Sequence, residues 1–283
     1  MVSDGGMTSP ALQDIVALLG CPAAGNPAQY LFERAFAPAS IDWRFLTVDV
    51  SQEQLAMAFG GVLAMGFRGC LLSAAHEVAA APLVGSLSPA ATFAGAVSLV
   101  ERQANGLVGH MTDGRGIAEA LRSHTPLSGA RVLIAGAGPG GRAAALELAL
   151  SGVAEIVVAD RSAEAALALV EALRGLETAA EFSVLPTDAA LEVPQRVGIV
   201  ISVPGLPGTW PAFAGLRSDL VVADTALVEQ PSAVVTAARK AGACVIDGLE
   251  IHVAKTAIDF LVLTGMETDP DMLREALEEF LSA

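Results

Sequence analysis

The sequence predicts an α/β protein made of two units, each a mostly parallel sheet covered by helices. Three observations carry that prediction. Short apolar runs alternate along the chain with helix-forming stretches, the pattern of right-handed β-α-β connections. The runs in the middle of the chain are apolar throughout, as strands covered on both faces must be. A Pro/Gly break, "HTPLSG" at 124–129, separates two stretches of alternation.

In the first stretch, "DIVALLG" (14–20) and "DWRFLTVDV" (42–50) read as strands. "AQYLFERAFA" (28–37) and "SQEQLAMAFGGVLAMG" (51–66) read as helices. The run at 69–73 and "AVSLVE" (96–101) add strands. Val78 to Val100 carries no charge and is long enough to span a bilayer. Pro82, Gly85, Pro89 and Gly95 interrupt it, so a helix, a loop and a buried strand are expected instead, and no membrane partner.

In the second stretch, "RVLIAG" (131–136), "EIVVAD" (155–160), "VGIVISV" (197–203), "LVVAD" (220–224) and "ACVID" (243–247) read as strands. Helices are expected at 141–152, at 162–175 with Ser162 as N-cap, and at 231–242. After Gly248 the chain turns helical, at 250–265 and 269–283, beyond the last strand of the sheet. These helices are expected to return to the first unit. The expected domains are 1–122, completed by 250–283, and 123–249.

The 283 residues suffice for two cores, and 53% hydrophobic against 17% charged residues excludes a disordered chain. A net charge of −15 with no basic run disfavours nucleic acid and anionic lipid. Cys21, Cys70 and Cys244 are odd in number and lack metal spacing, so no metal site is expected and a reducing cytoplasm is. The opening "MVSDGGMTSP" has no positive charge and predicts no secretory signal; Met1 and Met7 are both possible starts.

The sharpest motif is "GAGPGG", Gly136-Ala137-Gly138-Pro139-Gly140-Gly141. It fits G-x-G-x-x-G, follows a strand, opens a helix, and precedes Asp160 at the end of the next strand. Gly136 permits the turn, Gly138 lets backbone approach a pyrophosphate, and Gly141 lets helix and strand pack closely. The helix N-terminus offers free N–H groups to the phosphates. Asp160 can accept hydrogen bonds from ribose hydroxyls and would repel a 2′-phosphate, which favours NAD over NADP; it can equally cap the next helix. Arg161 pulls the other way, since a guanidinium pairs with phosphate.

Polar groups past the end of a buried strand often line a site. "GFRGCLLSAAHE" (66–77) delivers Ser73, His76 and Glu77 in that way. With "GAVSLVE" (95–101), "GHMTDGRGI" (109–117) and "GLEIHVAKTAIDFLVLTG" (248–265), it forms blocks whose order and spacing resemble the shikimate dehydrogenase family over nearly the whole chain. The resemblance implies an N-terminal α/β substrate domain, a Rossmann domain for a nicotinamide cofactor, a cleft between them, and C-terminal helices packing back on the first domain. It places the substrate-binding positions at Asn26, Ser73, Ser98 and Thr112. Catalysis would fall to Asp113, Lys255 and Glu77, and Ser202, Val203, Pro204 and Gly248 would complete the cofactor site.

The departures are as informative. The family's two carboxylate-reading serines fall at Asn26 and Ala28, its catalytic lysine at Glu77, and its substrate glutamine at Lys255. Its N-R-T-x-x-R clamp for NADP becomes Asp160-Arg161-Ser162-Ala163-Glu164-Ala165, without the second basic residue. An alcohol dehydrogenase needs a group that handles the hydroxyl proton while hydride moves. Glu77 can stabilise an alkoxide only when protonated, and nearby Asp113 would favour that; Lys255 can replace the missing cation. His76 and His110 are further acid–base candidates. Asp113 and Glu77 can equally be helix caps and Lys255 a solvated charge. The expected function is oxidation of a small polar or cyclic hydroxy acid, with shikimate a poor substrate, by a monomer or homodimer. The alternative is a catalytically inactive dinucleotide-binding sensor, and a Lys255 pointing into the cleft beside Asp113 would favour the enzyme.

Overall fold

The computed structural model describes residues 13–187, 190–205 and 212–283; the choice between Met1 and Met7 lies outside them. The first unit opens with β1 (Asp14–Gly20), α1 (Ala28–Phe36), β2 (Trp43–Asp49), α2 (Leu55–Ala64) and β3 (Gly69–Leu72). It continues through α3 (Glu77–Ala80), β4 (Ser86–Leu87), α4 (Pro89–Ala94), β5 (Leu99–Gln103), β6 (Gly106–His110) and α5 (Asp113–Arg122). The six strands form one sheet in the order β2-β1-β3-β5-β6-β4. It is not wholly parallel, because β5 runs against both β3 and β6. The hairpin turns at Ala104-Asn105, between the paired Gln103 and Gly106, and Gly106 has φ 125. Asn-Gly is the commonest hairpin signal, and the expectation of one strand at 96–101 passed over it.

The second unit holds β7 (Arg131–Ala135), α6 (Pro139–Leu150), β8 (Glu155–Ala159), α7 (Ala163–Arg174), β9 (Glu181–Val184), β10 (Ala190–Glu192) and β11 (Ile199–Ser202). It goes on with β12 (Ala212–Ala214), β13 (Val221–Asp224), α8 (Ala233–Lys240) and β14 (Cys244–Ile246). Its main sheet is parallel throughout, in the order β14-β13-β11-β7-β8-β9, and β10 pairs with β12 beside it. Strands β7, β8 and β11 are buried at almost every position, as all-apolar runs require. Strand order reverses at β7, so a crevice opens at its C-terminal end between the loops after β7 and β11.

The chain then runs into α9 (Gly248–Thr264) and α10 (Pro270–Ser282). Phe260, Leu263, Leu273 and Leu277 share one buried core with Phe32, Phe36 and Phe45 of the first unit, so the C-terminal helices do return to it. Helix α5 is the joint. Its Ile117, Ala118 and Leu121 are buried in the other unit's core with Ile134, Leu148 and Ile199. Its opposite side packs on α9, where a Cβ on Gly116 would lie 2.8 Å from Lys255 Cβ and 2.9 Å from its Cα. Only glycine lets the two helices cross this closely. Among the described residues no helix is long and apolar enough to cross a membrane.

Candidate active site

A cleft of about 470 Å³ runs between the two units. The first unit contributes Glu77 and Val78 from the start of α3, with Asp113 and Ile117 from α5. The second contributes Gly136, Gly138, Pro139 and Gly140 after β7, Asp160 and Arg161 after β8, and Val203, Pro204 and Gly205 after β11. Helix α9 closes the remaining side with Gly248, Ile251, His252 and Lys255.

The Gly-rich turn has the form a dinucleotide requires. A Cβ on Gly141 would sit 1.8 Å from the carbonyl oxygen of Gly136, so helix and turn touch without a side chain between them. Nothing stands within 4 Å of the corresponding point on Gly138, which leaves the backbone open to the cleft. Helix α6 begins there with its free N–H groups aimed outward. Asp160 fixes this turn from below. Its Oδ2 accepts from the Ala137 N–H at 2.7 Å and its Oδ1 from the Ser162 N–H at 2.8 Å. It therefore acts as a bracket and still lines the cleft beside Arg161.

At the other end four side chains meet. Lys255 Nζ donates to Asp259 Oδ2 at 2.7 Å, one turn along α9. Asp259 is 1% exposed and Lys255 17%, the exposed part facing the cleft. The Thr112 hydroxyl donates to Asp259 Oδ1 at 2.5 Å. The Ser98 hydroxyl lies 3.1 Å from Thr112 Oγ1 and accepts from the Thr112 N–H at 3.0 Å. Asp113 Oδ2 is buried with no hydrogen-bond partner.

Electrostatics follow from this crowding. Burial, then the adjacent Asp113, pushes the Glu77 carboxyl up to about 8, with Lys255 only partly offsetting them. Burial alone would lower Lys255, but Asp259 and then Asp113 outweigh it and hold the ammonium charged. Burial and then Lys255 push His252 down to about 4, so it is neutral at pH 7.

The structure thus brings Asp113, Lys255 and Glu77 together, with Gly136, Gly138, Pro139, Gly140, Asp160, Arg161, Val203, Pro204 and Gly248 on the same cleft. Several expectations need correction. Ser98 and Thr112 are 1% and 2% exposed, and their hydroxyls serve the Asp259 network behind the cleft instead of facing a substrate. Asn26 does not line the cleft; its Oδ1 accepts from the Ala28 N–H at 3.0 Å and opens α1. Ser73 is likewise off the lining, its Oγ accepting from the Cys21 N–H. Ala137, Gly141 and Ser202 sit behind the cofactor wall, buried by the turn and the sheet. His76 is fully buried with Nε2 on the Val50 carbonyl, and His110 contacts Glu101; neither reaches the cleft. Sequence reasoning missed His252 and Asp259, although helical spacing from Lys255, three residues back and four on, points to both.

A parallel sheet with a Gly-rich turn at its switch point, facing a second α/β unit that carries a buried Lys-Asp pair, defines a two-unit dinucleotide-dependent oxidoreductase. The comparisons agree. The profile described as shikimate / quinate 5-dehydrogenase matches residues 118–204. The shikimate dehydrogenase (NADP(+)) of Anaeromyxobacter dehalogenans strain 2CP-C is 32% identical over 266 residues, covering 92% of this chain and 94% of its own. That of Geobacter metallireducens is 29% identical over 270 residues, covering 92% and 94%. Among solved structures, ligand-free 5-ketofructose reductase of Gluconobacter sp. strain CHM43 matches with TM-score 0.87 at 29% identity, covering 95% of this chain and 99% of that one. Shikimate 5-dehydrogenase of Thermus thermophilus, in complex with NADP(H) and shikimate, matches at 0.79 and 26%, covering 95% and 100%. The chain belongs to the shikimate dehydrogenase family.

Proposed function

We propose that the protein is a working NAD(P)-dependent oxidoreductase that interconverts a secondary alcohol and its ketone, and that shikimate is not its best substrate. The observation that carries this is Lys255, held charged by Asp259 and facing the cleft with Asp113 and Glu77. A vestigial site has no reason to keep a buried ammonium supported by three further polar side chains, since such networks are costly when incomplete. The sensor alternative is therefore the weaker reading.

A bound nicotinamide supplies or accepts the hydride. The residues of this chain handle charge and protons. Lys255 donates toward the oxygen that becomes an alkoxide during reduction, and protonated Glu77 adds a second donor. Asp113, with its unpartnered oxygen, accepts from a substrate hydroxyl and passes protons toward solvent. Two different groups thus take over the task of one family lysine.

NAD is the preferred cofactor in this proposal. Asp160 places a carboxylate at the adenosine end, and the second basic residue of the family clamp is absent. The shikimate dehydrogenases of Anaeromyxobacter dehalogenans and Geobacter metallireducens are NADP enzymes by name, so this marks a divergence from them. The test is Lys255→Met. Its kcat should fall by about 10²–10⁴ while NAD affinity, read by fluorescence titration, stays unchanged. Unaltered turnover would remove Lys255 from the mechanism.

A further inference from the structure

The notable property of the substrate end is its charge. Glu77, Asp113 and Asp259 are gathered around a single ammonium, Lys255. That ammonium is already paired with Asp259 at 2.7 Å. The other cation on the cleft lining, Arg161, stands beside Asp160 at the opposite end. A carboxylate entering here would have to share Lys255 with Asp259 and would lie against the carboxyl groups of Glu77 and Asp113.

What the pocket lacks is donors to its acceptors. Asp113 Oδ2 is buried and takes no hydrogen bond from the protein. A buried acceptor of this kind costs free energy until something donates to it. A substrate hydroxyl does so, whereas a substrate carboxylate has only acceptors to offer. The two positions where the resembled family carries serines for a carboxylate are Asn26 and Ala28 here; Ala28 has no side-chain donor, and Asn26 Oδ1 accepts from the Ala28 N–H at the start of α1.

We infer that the substrate is an uncharged polyhydroxy ketone or alcohol, read through hydroxyl donors to Asp113 and Glu77 and carrying no carboxylate. This rests on the oxidoreductase reading above and replaces the hydroxy-acid expectation of the sequence. The specificity is built by subtraction: loss of the serine hydroxyls at positions 26 and 28 and of the cation at position 77.

The experiment compares pairs of similar size and hydroxyl pattern in which one member carries a carboxylate and the other is neutral. Shikimate is set against its methyl ester, and sorbitol against gluconate, each with NAD and NADP and the wild-type protein. For every pair that reacts, kcat/KM for the neutral member should exceed that of the anion by roughly tenfold or more. Glu77→Lys should shift that ratio toward the anion. Equal rates, or a preference for the anions, would overturn the inference and leave the oxidoreductase reading standing. No turnover of any member, with cofactor still bound, would sink both.

Discussion

Glu77 is the residue on which the chemistry turns. Its position was legible in the sequence, because "GFRGCLLSAAHE" ends a buried strand in polar groups. Its protonation was legible only in outline, since it depends on burial and on how close Asp113 comes. A Glu whose folded value is raised to about 8, from an ordinary 4.5, has a definite effect on stability. Between those values the unfolded chain releases the proton and the folded one keeps it. Stability is therefore fully present below about 4.5 and is lost as pH rises toward 8. Thermal melts at pH 5 and pH 8 should show that loss in wild type and a smaller one in Glu77→Gln. An identical pH slope in both proteins would mean that Glu77 is ionised. His76 is the contrary case: a histidine beside the strand looked like chemistry, but its ring is bonded to the Val50 carbonyl inside the core. No local pattern distinguishes these two neighbours, because side-chain direction after a strand end is set by the packing around it.

Among elements, the crossing of α5 and α9 places the site. Helix α5 brings Asp113 and α9 brings Lys255, and Gly116 sets their separation. Adding a methyl at Gly116 must push α9 away from the cleft. Gly116→Ala should cost about 1–3 kcal/mol in urea unfolding and should lower kcat as well. A loss of stability with full activity would show that the spacing does not matter for chemistry. The Asp259 network tests the same element from behind. Thr112→Val keeps the shape, removes the 2.5 Å bond to Asp259, and should cost about 1–3 kcal/mol. Its effect should appear in kcat more than in KM, since it loosens the orientation of Lys255 without touching substrate. Most helices and central strands could be read from periodicity. The short elements could not: β4, β9, β10 and β12 have two to four residues each, too few to show a period. Ser98 and Thr112 were expected at the substrate because the family resemblance placed them there; the residue that engages Thr112, Asp259 of α9, lies more than a hundred residues away in sequence.

On the scale of the whole molecule, the cleft exists because strand order reverses at β7 and the C-terminal helices return across it to the first unit. The Gly-rich turn made the dinucleotide end readable from sequence, since each glycine has a steric reason there. The substrate end was readable only as a set of departures from a family pattern, and their physical meaning appeared when Lys255, Asp259 and Asp113 came together. Cofactor choice belongs to this scale too. Wild type should prefer NAD over NADP in kcat/KM, and Asp160→Asn, which retains an acceptor for the turn, should shift the ratio toward NADP by roughly tenfold. An unchanged ratio would make Asp160 a bracket for the turn and nothing more.

The central claim is that a neutral Glu77 and a charged Lys255 together replace the family lysine. The pH profile of kcat/KM for ketone reduction, measured for wild type and Glu77→Gln, tests it most directly. In wild type the activity should decline as pH rises through about 8, where Glu77 loses its proton. The Gln variant, which keeps a neutral donor, should retain activity at pH 7 and lose that limb. A decline near 8 that persists in Glu77→Gln would contradict the account, as would a variant inactive at every pH despite unaltered cofactor binding.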